Sequence, residues 1–218
     1  MRSQLATLLA LVAFSSLVAG PAHADAPGTA LSADHFGVLV GSATAPVQLE
    51  LFCDAQCPIC AAFETASGGD LVRHLSAGDV AVTYRWLTFL DPRRHNDVSA
   101  RLGNALMTAV GPGTSAAAYQ TFVDNLYAHP GDPSLADIAA TARESGLPAE
   151  VADRIAAGQT AVDTTSMNAF NGEQLLRVNP ENPGTPTVYD LSTATLVATG
   201  DPGWLDHLVR QARPAVSG

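Results

Sequence analysis

The 218 residues carry 21 acidic against 11 basic side chains, and every basic one is arginine, for a net charge of −10. An acidic chain with no basic run is a poor nucleic-acid binder. An apolar content of 47% argues against disorder and is enough for one core, with or without an inserted subdomain.

Residues 1–24 read as a secretory signal. Arg2 precedes an apolar run, Leu5–Val18; Gly20-Pro21 breaks it, and Ala22-His23-Ala24 is a small-x-small cleavage site. The run falls short of the about 20 residues a membrane span needs. The expected location is therefore exported, either periplasmic or in the extracellular space or cell envelope, with no stable membrane insertion after cleavage. Residues 25–34 read as a flexible lead-in, and His35–Gly41 as a short edge strand. In Val47–Phe63 a strand runs into Cys57-Pro58-Ile59-Cys60 at the start of a helix. Val47, Leu49, Leu51 and Cys53 fall on one face of that strand, Gln48, Glu50 and Phe52 on the other. Gly68-Gly69 interrupts the helical pattern and predicts a kink or break. Val80–Leu87, rich in β-branched and aromatic residues, is a strand. The stretch of about 91–178 is helical and Ala-rich, with a loosening expected at Asn171-Gly172. After the loop Asn179–Pro186 come a hairpin, Thr187–Leu191 with Leu196–Thr199, and a last helix capped at Asp201-Pro202. The order is β(β)αβ, a helical block, then ββα, with the block inserted into a small sheet unit.

The chemistry concentrates at the paired cysteines. The first N–H groups of a helix lack internal partners and, with the helix dipole, favour an anion. Cys57 at that point is expected to be an exposed nucleophile with a favoured thiolate. Cys60, one turn in, is placed to resolve a mixed disulfide. Pro58 needs no N–H in the first turn. A bond across two residues removes little chain entropy, so a structural staple is the weaker reading. Cys53 is left over; it reads either as a small buried side chain or as a third thiol open to capture or dimerisation. Cys53, Cys57 and Cys60 also have the spacing of a radical-SAM iron–sulfur motif, but export and the single early strand–helix unit weigh against it. No Cys/His pair elsewhere has zinc-ligand spacing, so no metal is expected.

With Gly184-Thr185-Pro186-Thr187 opening the late strand, these features resemble the thioredoxin superfamily, and most closely its DsbA-like secreted branch. The resemblance covers about residues 35–212. It implies an α/β thioredoxin fold, a central mixed β-sheet flanked by helices, with an all-helical insertion at about 91–178. It implies a cis Pro186, a substrate strand paired to the backbone of Thr185, and Pro58 and Ile59 as residues that tune the dithiol. The implied function is an exported thiol–disulfide oxidoreductase that forms, reduces or reshuffles disulfides in exported client proteins. It would use a redox-active Cys57–Cys60 disulfide and no other cofactor, and a separate, unidentified redox partner would recycle it. The Pro58-Ile59 pair leans the reading slightly to oxidase over reductase. The alternative is a non-catalytic thioredoxin-fold binding protein with a vestigial disulfide. One departure stands out: the family often buries an acid beneath the dithiol, six residues before the first cysteine, and here that position is Leu51.

Overall fold

A computed structural model describes residues 27–212; the signal-peptide reading of residues 1–24 lies outside them. The described residues form one mixed sheet of six strands, in the order β1 (Gly28–Leu31), β2 (Val38–Gly41), β4 (Val80–Leu87), β3 (Val47–Asp54), β5 (Thr187–Asp190), β6 (Thr195–Leu196). β3 and β4 are parallel and the other pairings antiparallel. The parallel pair needs a crossover, and α1 (Pro58–Ala77) supplies it. Six helices lie between β4 and β5: α2 (Asp91–Arg94), α3 (Val98–Thr108), α4 (Ala116–Ala128), α5 (Leu135–Glu144), α6 (Ala149–Ala156) and α7 (Thr164–Val178). α8 (Trp204–Ala212) follows the hairpin.

The alternation along β3 sorts its side chains as the sequence implies. Leu49, Leu51 and Cys53 join the main core, whereas Phe52 packs on the opposite face with Leu87 and Leu175. The main core runs without a break from the sheet unit into the helical block, through Leu71, Leu106, Phe122 and Ile138. On the other face Glu50 is buried with Arg85, whose Nη2 lies 2.7 Å from Glu50 Oε1 and whose Nη1 lies 2.8 Å from Asp34 Oδ1.

Four expectations are corrected. The lead-in is not wholly flexible, because Gly28–Leu31 adds to β2 as the outermost strand. That addition is a backbone affair: Pro27 O accepts from Ala116 N at 2.8 Å, tying the strand's start to α4. β2 is consequently an inner strand. α1 runs unbroken through Gly68-Gly69. A Cβ on Gly68 would lie 2.4 Å from Asp124 Oδ1, so that glycine admits a neighbouring side chain of α4. α7 is continuous past Asn171, whose buried amide donates to Phe36 O and Trp86 O, both at 2.9 Å.

Candidate active site

The strand-to-helix turn is built around Asp54, the last residue of β3. It is fully buried; Oδ1 accepts from Gln56 N at 2.9 Å and from the Ser99 hydroxyl, and Oδ2 accepts from Leu90 N at 3.0 Å. Cys57 N donates to Asp54 O at 2.8 Å, which closes the turn and sets Cys57 as N-cap of α1, with Pro58 opening the first turn. Tyr127 of α4 donates its hydroxyl to the same Asp54 carbonyl at 3.0 Å. Asp54 and Tyr127 went unnoticed in the sequence, although an Asp just before a Cys-x-x-Cys is a signal for a turn closed by its own side chain.

The three cysteines descend into the core. Cys57 is 7% exposed, while Cys60 and Cys53 are both fully buried. All three are free thiols. Cys60 has hydrogen-bonding neighbours on both sides, Cys57 outward and Cys53 inward. Pro58 and Ile59 stand in solvent, Ile59 at 64% exposure. Cys57 Sγ lies 3.5 Å from Thr185 O, and the Thr185–Pro186 peptide bond is cis, in line with the resemblance. That loop is anchored by Thr187, whose hydroxyl donates to Gly184 O at 2.7 Å and accepts from Asn179 Nδ2 at 3.1 Å. Cys57 and Pro58 thus border two surface clefts. One, of about 370 Å³, runs toward Leu126, Tyr127 and His129. The other, of about 300 Å³, is lined by Ile59, Phe89, Arg93 and Thr185.

The burial of Cys57 corrects one expectation. Cys57 is reached only through the clefts, not openly exposed. Its thiol is pushed up, first by the hydrogen bond with Cys60 and then by burial, with the Thr185 contact acting the other way. Burial and the Cys60 contact therefore work against the thiolate that the helix terminus favours. Burial, and then Cys53, push the Cys60 thiol up, and burial does the same to Cys53. Leu51 is buried in the apolar core and Glu50 is turned away to Arg85, so neither supplies a carboxylate beneath the thiols. A different acid does lie inside: Glu64, one turn beyond Cys60 on α1, is 3% exposed. Among the described residues no group of three or more His, Cys, Asp or Glu side chains has the geometry to hold a metal ion.

A family profile described as Thioredoxin matches residues 34–189. The chain belongs to the thioredoxin family. Within it, the fold is similar to MdbA, a thiol-disulfide oxidoreductase from Corynebacterium matruchotii, at 21% identity and a TM-score of 0.68, over 82% of this chain and 90% of that one. It is similar also to reduced DsbA from Mycobacterium tuberculosis, at 21% identity and a TM-score of 0.62, over 83% and 94%. A segment of the serine/threonine-protein kinase PknE of Mycobacterium tuberculosis is 28% identical over 182 residues, 79% of this chain. The chain spans only 31% of the length of that relative. These likenesses make the architecture the DsbA type of thioredoxin fold, a sheet unit carrying a helical block. In this thioredoxin-family chain, Cys57, Cys60, Thr185 and Pro186 stand together at one end of the sheet, and Cys53 lies beneath them.

Proposed function

We propose that this chain is an exported thiol–disulfide oxidoreductase whose clients are cysteine-containing exported proteins. The observation that carries the reading is the approach of Cys57 Sγ to Thr185 O beside the cis bond, at the meeting of two clefts. A client segment lying extended across Thr185 would pair with its backbone as an added strand and bring a sulfur in line with Cys57. Cys57 exchanges with the client, and Cys60, buried directly behind it, resolves the mixed disulfide. Ile59 and Phe89 give the client an apolar surface on either side of the sulfur. The oxidoreductase named for MdbA supports this reading; the kinase activity named for PknE is not part of it, since the match covers under a third of that protein.

The surroundings of the two thiols bear on the direction of exchange. A strong oxidant stabilises its reduced form, usually as a thiolate. Here the Cys60 contact and burial push the Cys57 thiol up, and burial and Cys53 push the Cys60 thiol up, which opposes the lean toward oxidase drawn from Pro58-Ile59. We place the potential in the lower half of the range of about −270 to −120 mV seen in this fold, to be read from equilibrium with glutathione. Insulin reduction with Cys57→Ser as control tests the enzyme. Equal traces for the two proteins would leave only the binding-protein alternative.

A further inference from the structure

The two clefts that meet at Cys57 carry one arginine each. Arg93 lines the cleft with Ile59, Phe89 and Thr185, and Arg94 lines the cleft that runs toward Tyr127 and His129. Both are exposed residues of α2. Elsewhere the chain pairs arginines with its own acids: Arg73 with Asp70 and Asp206, Arg85 with Glu50 and Asp34, Arg101 with Asp97 and Asp132, Arg143 with Asp153. Arg154 and Arg177 bond instead to Thr108 O and Gln174 Oε1. Among the described residues Arg93 and Arg94 form no ion pair, in a chain whose net charge is −10. The acids at the same place are occupied. Asp132 lines the Arg94 cleft but is bonded to Arg101. Asp91 is buried and accepts from Gln56 Nε2 at 2.6 Å, Ser99 N at 2.7 Å and Ala100 N at 2.9 Å. The same Gln56, next to Cys57 in the chain, also accepts from Asn96 Nδ2 at 2.9 Å, so it pins α2 at its first residue and just past its end. The Arg93 guanidinium lies over the Phe89 ring, 5.5 Å from its centroid.

We propose that Arg93 and Arg94 select client segments that carry an acidic residue two positions from the reacting cysteine, on either side of it. The proposal rests on the oxidoreductase reading and names the chemistry of the client. In an extended segment, side chains two residues apart point to the same face, about 7 Å from each other. A client docked over Thr185 with its cysteine turned to Cys57 turns its second neighbours the same way, one toward each cleft. An aspartate or glutamate there meets a guanidinium that no acid of the described chain has taken. The planar fork of a guanidinium takes a carboxylate through two parallel hydrogen bonds, and stacking on an aromatic face leaves those donors free. A basic client residue meets like charge with no acid to offset it. The sulfur chemistry is that of any disulfide exchange. In the reducing direction Cys57 Sγ bonds to one client sulfur, and the other leaves with the electron pair of the broken bond and takes a proton. Cys60 Sγ, its proton lost, then bonds to Cys57 Sγ, and the first client sulfur leaves with that electron pair and takes the second proton. The client gains the two electrons that the dithiol loses. Oxidation of a client passes through the same mixed disulfide in reverse, so the arginines act in both directions.

The test uses three peptides with a single cysteine, identical except that the second residue on each side of it is Asp, Asn or Lys. Reduced protein is mixed with the symmetric disulfide of each peptide, and oxidised protein with each peptide thiol. Samples are quenched with acid and followed by mass, at peptide concentrations low enough that the rate is proportional to concentration. The Asp peptide should react about tenfold faster than the Asn peptide, the yield of two exposed ion pairs, and the Lys peptide more slowly than either. Salt should shrink that ratio. In the double variant Arg93→Gln/Arg94→Gln the ratio of Asp to Asn should fall to about one, and in Arg93→Glu/Arg94→Glu the order of Asp and Lys should reverse. Arg210→Gln removes an exposed charge from α8, whose Asp206 bonds His74 near the far end of α1, and should keep the wild-type ratio. Equal rates for the three peptides, or a preference for Asp that survives the double Gln variant, would overturn the proposal and leave the oxidoreductase reading standing. If no peptide exchanges with the wild type in either direction, both readings fall.

Discussion

Cys53 shows what burial decides at the scale of one residue. As a letter in the sequence it was open to capture of a client or pairing with a second copy. At zero exposure, beneath Cys60, it has no route to either. What it does have is contact with the resolving thiol, whose proton it helps to hold. Cys53→Ala should therefore cost about 1 kcal/mol, the scale of a small buried deletion, while two thiols still titrate as one couple. Finding that the variant loses its redox couple would show that Cys53 shares in the exchange. The residues legible beforehand, Cys57, Cys60, Thr185 and Pro186, are those whose roles are written in short local motifs. Glu64 and Asp54 were not legible in that way. A glutamate in an Ala-rich helix reads as a solvated face, and only the packing of α4 against α1 buries it. Asp54 bonds Leu90 and Ser99, residues far along the chain.

At the scale of elements, α1 separates two glycines that look identical in sequence. The pair predicted a kink or break, and the helix runs unbroken. Gly69 has nothing within 4 Å of where a Cβ would stand, so Gly69→Ala gains helix propensity at no steric cost. It should stabilise by about 0.5–1 kcal/mol, raising Tm by about 1–4 °C for a chain of this size. Gly68→Ala gains the same propensity but drives a methyl into the Asp124 carboxylate. It should show no such rise. Thermal melts of the two variants side by side check this; equal rises would mean that Asp124 swings aside freely. Of the elements, the central strands and the helical block were legible, and in the block Ser134 forms a full capping box at the start of α5. β1 was not, because Gly28–Leu31 offers no apolar face and is held by main-chain bonds to β2.

At the scale of the whole molecule, the carboxyl groups divide into two sets that pull stability in opposite directions with pH. Burial works to raise Asp34, but its bonds with Arg85, Ser32 and Phe36 N bring it down to about 2. Its contribution is full above the unfolded value of 3.8 and is lost as pH falls toward 2. Asp54, Glu64 and Asp124 lie on the other side. Burial raises all three, so they favour the fold below their unfolded values and weaken it as pH rises through their folded ones. The net charge of −10 adds self-repulsion at neutral pH that protonation relieves. Stability should therefore peak in mild acid, at about pH 4–5, and decline toward neutrality. The urea midpoint across pH 3–8 measures this, and Glu64→Gln should flatten the neutral limb while leaving the acid limb alone. A midpoint that rises steadily from pH 5 to 7 would show that the buried carboxyls are relaxed in the fold. Glu50→Ala works on the opposite face of the sheet: it strips Arg85 of its buried partner and should cost about 3–5 kcal/mol. That loss should appear as a lower urea midpoint with little change at the thiols, because Glu50 and Arg85 lie across the sheet from Cys53 and Cys60. Stability and redox chemistry are thus served by different faces of one strand, which the alternation Glu50, Leu51, Phe52, Cys53 already encodes.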